Sequence, residues 1–264
     1  MVRFPRYAGR HYFADPGRLR ASVESFVEDA AETAVAGTLC AIVVPHGTHR
    51  EFGPIAGYGY KLLLSAPLTS DVTVLLAPSA TPAGDARAVS CDPSDAYASP
   101  LDLIGVAGTA AEALSRAGIP VAREPDEEPI VENHLPFIQV VMGDPQFLPL
   151  RIPAGVDLAA PGWDVVADQL GLVIAAANLP PSRDQAVCEA VERLDDRRLT
   201  GQVRPTGLRG LFGKGSGVPA ELSADEAVLA LAIRLARAKG ANRGRLLARE
   251  GHLAAFALYR ARRP

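Results

Sequence analysis

Short apolar runs alternate along the chain with segments of helical periodicity. The runs predict buried strands, because each is brief, rich in branched or small apolar side chains, and bounded by Pro, Gly or polar residues. The predicted strands are Ala41–Val44, Val72–Ala77, Phe147–Ile152 and Leu172–Ala177, with further strands at Asp85–Cys91 and Leu253–Tyr259.

Helices are predicted between these strands. Asp15 before Pro16 is a typical helix start, and the periodic pattern runs from there to about Val35. The other predicted helices are Ile55–Leu64, Ala107–Ala117, one near Glu132–Met142, Trp163–Leu170, Ser182–Leu194 and Ala224–Lys239. This alternation, with no internal repeat or linker, predicts a single α/β domain over residues 1–264, with a mixed, mostly parallel sheet flanked by helices.

The stretch Ile42–Tyr60 indicates where a site would lie. The strand Ala41–Val44 stops at Pro45, His46 follows at once, and a polar loop then leads to a helix. Ligands bind at the carboxyl ends of strands in open α/β sheets. Imidazole is also the side chain best suited to acid–base work near neutral pH, so we expect His46 in a strand-end pocket.

Composition narrows the class of partner. The net charge of −3 gives no reason to expect a nucleic-acid ligand, and no apolar run approaches the roughly 20 residues that span a bilayer. The three cysteines are an odd number and lie far apart, and the first residues contain no apolar leader. We therefore expect a cytoplasmic protein, with Cys91 as its one exposed thiol.

A glycine-rich stretch, Gly207–Gly217, lies inside the predicted loop Gln202–Pro219. Its sequence, GLRGLFGKGSG, fails the spacing of a phosphate-binding P-loop because a glycine follows Lys214. A lid that meets an anion through its basic residues stays open as an alternative.

Seven short motifs occur in order along nearly the whole chain. They are VRFPRYAGRHYFADP at the start, the pattern PH…GP…Y.Y over Pro45–Tyr60, APS at Ala77–Ser79, SPLD at Ser99–Asp102, the acidic segment ending in LPF at Asp126–Phe137, LARAKGA at Leu235–Ala241, and the closing AFALY. Together, in this order and spacing, they resemble the MEMO family, also called AmmeMemoRadiSam system protein B.

The resemblance implies a fold similar to that of class III extradiol dioxygenases, with a strand-end pocket that can hold a metal. The first histidine of the family matches His46, but its other pocket positions fall on Ala80, Pro129, Ala176, Ala177, Asn178, Pro181 and about Ala224. One imidazole is too few ligands for iron or zinc. We therefore expect no metal and no cofactor.

His46 and Glu132 remain from the usual polar pocket of the family, while His11, His49, Glu51 and Arg10 are unusual at their positions and are expected to remodel it. The predicted catalytic residues are His46, His49 and Glu132, with Glu132 orienting His46. The predicted ligand contacts are His11, Tyr12, Glu51, Asn178 and Ala80.

Three functions stay open at this point. The first is a metal-independent protein that binds or transforms a small aromatic or polyketide-like molecule with His46 as acid–base group. The second is a non-catalytic interaction protein that binds a peptide or another protein, or forms a homodimer. The third is a metal-dependent oxygenase with rebuilt ligands, such as His46, His49 or His11 plus Glu51 or Glu132.

Overall fold

A computed structural model describes residues 1–65, 72–80, 87–167, 169–181, 184–199 and 222–262. The Gly207–Gly217 loop and Ser182 lie outside these residues. The helices are α1 (Pro16–Asp29), α2 (His49–Leu63), α3 (Gly108–Arg116), α4 (Pro129–Met142), α5 (Gly162–Ala167), α6 (Asp184–Glu192), α7 (Asp196–Leu199) and α8 (Ala224–Ala238). The strands are β1 (Val2–Arg3), β2 (Gly37–Val44), β3 (Val72–Pro78), β4 (Val89–Cys91), β5 (Ala96–Ala98), β6 (Leu103–Gly105), β7 (Val121–Arg123), β8 (Gln146–Ile152), β9 (Val173–Ala176), β10 (Arg243–Glu250) and β11 (Leu253–Ala261).

The main sheet has the strand order β10-β11-β2-β9-β3-β8-β4-β7. Its centre, β2-β9-β3-β8, is parallel throughout, whereas β10, β11 and the β4–β8 pair are antiparallel. A second, small sheet has the order β1-β5-β6. The predicted mixed α/β architecture is therefore confirmed, while the extent of the domain, residues 1–264, stays a prediction.

Apolar side chains of the central strands alternate between two cores, one on each face of the sheet. Ile42 and Val44 pack into the core covered by α1, α2 and α4. Ala41 and Val43 pack into the larger core beneath α3, α5, α6 and α8. Burial on both faces explains why these strands appear in the sequence as continuous apolar runs.

Helix α2 begins six residues before the predicted start at Ile55. Thr48 precedes its first turn, and the carboxylate of Glu51 accepts hydrogen bonds from the Thr48 backbone N–H and hydroxyl at 3.0 and 2.8 Å. Two glycines then let α1 approach closely: a Cβ at Gly57 would stand 2.1 Å from the Phe26 carbonyl oxygen. The Gly53-Pro54 pair lies inside this helix and does not mark its start.

Three other expectations differ from the structure. Helix α1 ends at Asp29 and not near Val35. At this end of the helix, Lys61 Nζ donates to the carbonyl of Glu28 at 3.0 Å and to that of Ala30. Strand β10 was not predicted, because its arginine-rich edge lacks apolar alternation. Cys91 is buried at 1% exposure, and burial raises its pKa to about 11, so it is not an exposed thiol. No helix in the described ranges is long and apolar enough to cross a membrane.

Candidate functional site

Three polar residues meet where two neighbouring parallel strands end. His46 follows β2, Asn178 follows β9, and Asp225 comes from the first turn of α8. His46 Nε2 lies 2.9 Å from Asp225 Oδ1, and the backbone N–H of Asn178 donates to the same oxygen at 2.7 Å. The His46 and Asp225 side chains are 18% and 29% exposed, so solvent or a ligand can reach both.

Asn178 holds the backbone of His46. Its Oδ1 accepts the His46 backbone N–H and its Nδ2 donates to the His46 carbonyl, each at 3.1 Å. This two-way contact fixes the loop that follows β2. The amide that was predicted to contact a ligand therefore positions the histidine instead.

The contact with Asp225 determines which nitrogen of His46 is basic. An ionised carboxylate only accepts hydrogen bonds, so Nε2 carries the proton in the neutral ring and Nδ1 keeps its lone pair. Nδ1 has no hydrogen-bond partner among the residues that the structure describes. Asp225 is the second residue of α8, and the positive end of that helix favours a negative side chain there.

His49 does not join this group, although it was predicted to be catalytic. It is the first residue of α2, only 4% exposed, and its Nε2 donates to the Asn133 carbonyl at 2.7 Å. Its ring packs against Phe52 and Phe137. Burial lowers the pKa of His49 to about 4, so the ring is a neutral part of the core.

Glu132 was predicted to orient His46, and the structure gives it other partners. It is fully buried in the first turn of α4 and pairs with Arg3 Nη1 at 2.9 Å. The backbone N–H groups of Arg6 and Tyr7 donate to it at 2.9 and 2.7 Å, and the Tyr12 hydroxyl donates at 2.8 Å. Glu132 therefore anchors the N-terminal segment, and Tyr12 belongs to that anchor and to the core.

His11 and Glu51 have local partners at the amino end of α2. The backbone carbonyl of His11 accepts from the His49 N–H at 2.9 Å, and its Nδ1 lies 3.1 Å from Asn133 Nδ2. Glu51, predicted as a ligand contact, is the capping carboxylate of α2, and its hydrogen bonds to Thr48 lower its pKa. Both residues shape the loop beside His46.

The donors at this edge do not fit a metal ion. At the end of β3, the exposed Ala80 offers only a methyl group, and its backbone N–H donates to Glu128 Oε1 at 3.0 Å. His46 Nε2 already faces Asp225, and Asn178 binds backbone atoms. Across the described part of the chain, no three His, Cys, Asp or Glu side chains come together as metal ligands.

The sequence pointed to His46 but not to its partner Asp225. The only sequence feature near Asp225 was a helix start, Ser223 with Glu226 three residues later. In the structure, Ser223 accepts from the Glu226 N–H at 3.2 Å, and the Glu226 carboxylate accepts from the Ser223 N–H at 3.0 Å. That pattern places Asp225 in a first turn without indicating which strand it faces.

A cavity of about 450 Å³ lies away from this site, at the amino-terminal end of β2 beside Gly37 and Leu39.

Comparisons with known proteins agree with the pattern of motifs. A family model described as Memo-like protein matches residues 3–179. A MEMO1 family protein of Methanothermobacter thermautotrophicus is 28% identical over 235 residues, which cover 81% of this chain and 80% of that relative. A second, from Methanopyrus kandleri, is 33% identical over 162 residues, 57% of this chain and 56% of its own. The crystal structure of an uncharacterized Escherichia coli K12 protein superimposes with a TM-score of 0.47 at 15% identity, over 84% of this chain and 100% of that one, which is too distant to carry an argument.

Proposed function

This chain belongs to the Memo-like protein family, and we propose that it binds and transforms a small organic molecule at the strand-end edge without a metal. His46 is the acid–base group in this proposal, and Asp225 positions it. The observation that carries the proposal is the 2.9 Å contact between His46 Nε2 and Asp225 Oδ1, at an edge that solvent reaches.

The proposed proton transfer uses the free lone pair on Nδ1 of His46. Nδ1 of His46 takes a proton from an acidic O–H or C–H group of the bound molecule, which leaves an anion on that molecule and an imidazolium in the protein. Asp225 stabilises the imidazolium through the Nε2–H···Oδ1 contact and keeps the ring oriented. The same Nδ1–H then returns the proton to another atom of the molecule.

The donor set supports the metal-independent form of this proposal. At this edge, Ala80 and Asn178 occupy two of the metal-site positions of the family that the chain resembles. The amide of Asn178 is hydrogen-bonded to the backbone of His46. The remaining pair, His46 and Asp225, suits proton transfer better than the coordination of iron or zinc.

The proposed ligand is a small aromatic or polyketide-like molecule, because the fold that the resemblance implies is similar to that of catechol-cleaving enzymes. Such molecules also carry phenol or enol O–H groups whose protons a neutral imidazole can accept.

Ligand-observed NMR tests the proposal. Phenols, aromatic acids and 1,3-diketones are screened against the wild type and His46→Ala, and each hit is checked for turnover by mass spectrometry. We expect at least one class to bind the wild type and to lose binding or turnover in His46→Ala at an unchanged melting temperature. Equal binding and turnover by both proteins would overturn the role of His46. A wild type that binds no class, yet retains a protein partner at physiological salt, would favour the interaction-protein alternative.

A further inference from the structure

The cavity of about 450 Å³ is enclosed by helix α2, the start of strand β2 and the connection from α1, residues 31–35. Its volume falls within the range of about 300–1,000 Å³ that is typical of ligand pockets. It is separate from the His46 site, because Gly37 and Leu39 begin the strand that His46 follows. We call it the Lys61 cavity, after the one lysine among the described residues of its lining.

Helix α2 gives the cavity one face of mixed chemistry. Tyr58, Lys61 and Leu62 stand at positions i, i+3 and i+4, so their side chains lie along one stripe of the helix. Tyr60 and Leu63, which come from the other side of the helix, pack into the core. The helix therefore places an aromatic ring, an ammonium group and an aliphatic side chain side by side on the face that the core does not use.

The rest of the lining is mostly apolar. Val35 and Leu39 are half-buried beside the cavity, and Leu64 is 59% exposed there. The lining that the structure describes includes one carboxylate, on the exposed Glu32. An apolar guest would cover these aliphatic side chains, and the burial of such surface is a strong driving force for binding.

Lys61 carries a charge that no acidic side chain neutralises in the described part of the chain. Its Nζ donates to the carbonyl of Glu28 at 3.0 Å and to that of Ala30, and both acceptors are neutral. An ammonium group has three N–H donors, so one donor remains. The Tyr58 hydroxyl likewise has no hydrogen-bond partner among the described residues. An anionic acceptor on a guest would satisfy both groups.

The wall formed by residues 31–35 is held in place although it contains no helix or strand. Lys61 fixes its beginning through the Ala30 carbonyl. Arg245 Nη1 donates to the Ala34 carbonyl at 2.8 Å and fixes it from the side of β10. A cavity whose walls are already ordered loses little conformational entropy when a ligand binds.

We propose that the Lys61 cavity binds a small apolar carboxylic acid. The carboxylate accepts from the third N–H of Lys61 and from the Tyr58 hydroxyl, and the apolar body packs on Val35, Leu39 and Leu62. An inorganic anion is disfavoured because most of the lining is apolar, and an amine is disfavoured because Lys61 repels it. Acids with an aliphatic chain and acids with a ring share this chemistry.

Calorimetric titration at pH 7 tests the proposal with octanoate, a chain acid, and cyclohexanecarboxylate, a ring acid. Each is compared with its neutral amide. We expect the wild type to bind at least one acid about tenfold more tightly than the matching amide, because hydrogen bonds to charged groups are the stronger ones. The acid that binds more tightly identifies the shape of the natural ligand. A wild type that binds neither acid would overturn the proposal.

Lys61→Gln removes the charge and keeps a donor for the end of α1. We expect the acid to bind this variant no more tightly than its amide. Lys239→Gln is the matched control, because Lys239 Nζ also donates to two backbone carbonyls, those of Ala167 and Leu170, but lies outside the lining. The control should keep the wild-type preference for the acid. An equal preference in Lys61→Gln and the wild type would overturn the proposal.

Two further variants keep the test decisive. Tyr58→Phe removes one hydroxyl and should weaken the acid several-fold while the amide is less affected, which answers the question even if Lys61→Gln fails to fold. His46→Ala should bind the acid as the wild type does, because the two sites lie at different ends of β2. Loss of the acid in His46→Ala would place it at the strand-end edge and overturn the assignment to the Lys61 cavity.

Discussion

The imidazole of His46 and the carboxylate of Asp225 lie 2.9 Å apart, although 179 positions separate them in the chain. One comes from the loop after a central strand and the other from the first turn of the last helix. Asn178, after the neighbouring strand, contacts both. The fold thus builds one polar group from three distant segments, and the predictions that follow examine this group and the buried charges near it.

Asp225→Asn is predicted to impair catalysis without unfolding the protein. The amide keeps the shape of the side chain but no longer stabilises the imidazolium, so kcat should fall by roughly 10²-fold with a smaller change in KM. Asp164→Asn is the matched control, because Asp164 is also in a first turn and pairs with a basic side chain, Arg234, at 2.8 Å. Equal losses in the two variants would contradict the role of Asp225.

Metal titration is predicted to show no tight site. Untagged protein is analysed for metal content and then titrated by calorimetry with Fe(II), Cu(I) and Zn(II). The described residues bring no three strong ligands together, so we expect no stoichiometric binding. About one metal per chain, lost in His46→Ala, would instead establish a metal site with rebuilt ligands.

Glu132→Gln is predicted to destabilise the fold by about 3 kcal/mol, because it removes the carboxylate that pairs with the buried Arg3 guanidinium and accepts from the Arg6 and Tyr7 backbone N–H groups. Glu127→Gln is the control, since Glu127 and its partner Arg6 are 75% and 51% exposed, and such pairs contribute about 1 kcal/mol or less. Urea unfolding measures both. If Glu132→Gln unfolds at the wild-type midpoint, Glu132 is not the anchor of the N-terminal segment.

His49 is predicted to make the protein acid-sensitive. Burial lowers its pKa from 6.5 to about 4, so the unfolded chain binds a proton below pH 6.5 that the folded chain refuses until about pH 4. The free energy of unfolding therefore falls as the pH drops through this window, by about 3 kcal/mol from this residue. Urea unfolding between pH 7 and pH 4 should show a shallower decline for His49→Gln. If the free energy of unfolding falls equally with pH in both proteins, His49 is not a source of the acid sensitivity.

The architecture was largely predictable because burial on both faces leaves continuous apolar runs in the sequence. Strand β10 was not, since it lies at the sheet edge and packs little apolar surface. The start of α2 was predicted too far along the chain because Gly53 suggested a helix break. In the structure, Gly53 lies inside the helix and leaves space for the Phe26 ring. Such close approaches between helices depend on tertiary packing, which a local pattern does not contain.

The site was predictable only in part, for a related reason. His46 follows a clear strand and so has an identifiable place in the sheet. His49 and Glu132 are polar residues in the same region, and sequence alone did not distinguish a pocket from a core. Glu132 is satisfied largely by backbone N–H groups, which carry no side-chain signal. Asp225 follows the stretch Gln202–Pro219 that the sequence predicts as a loop, so its strand partner could not be inferred.

The protonation state of His46 tests the central claim most directly. Nitrogen-15 NMR distinguishes the two ring nitrogens by their chemical shifts, and His46→Gln assigns the signals. We predict that the neutral ring carries its proton on Nε2, toward Asp225, with a bare Nδ1, and that this preference weakens in Asp225→Asn. A neutral ring protonated on Nδ1, unchanged in Asp225→Asn, would contradict the account, because the nitrogen assigned as the base would then hold no free lone pair.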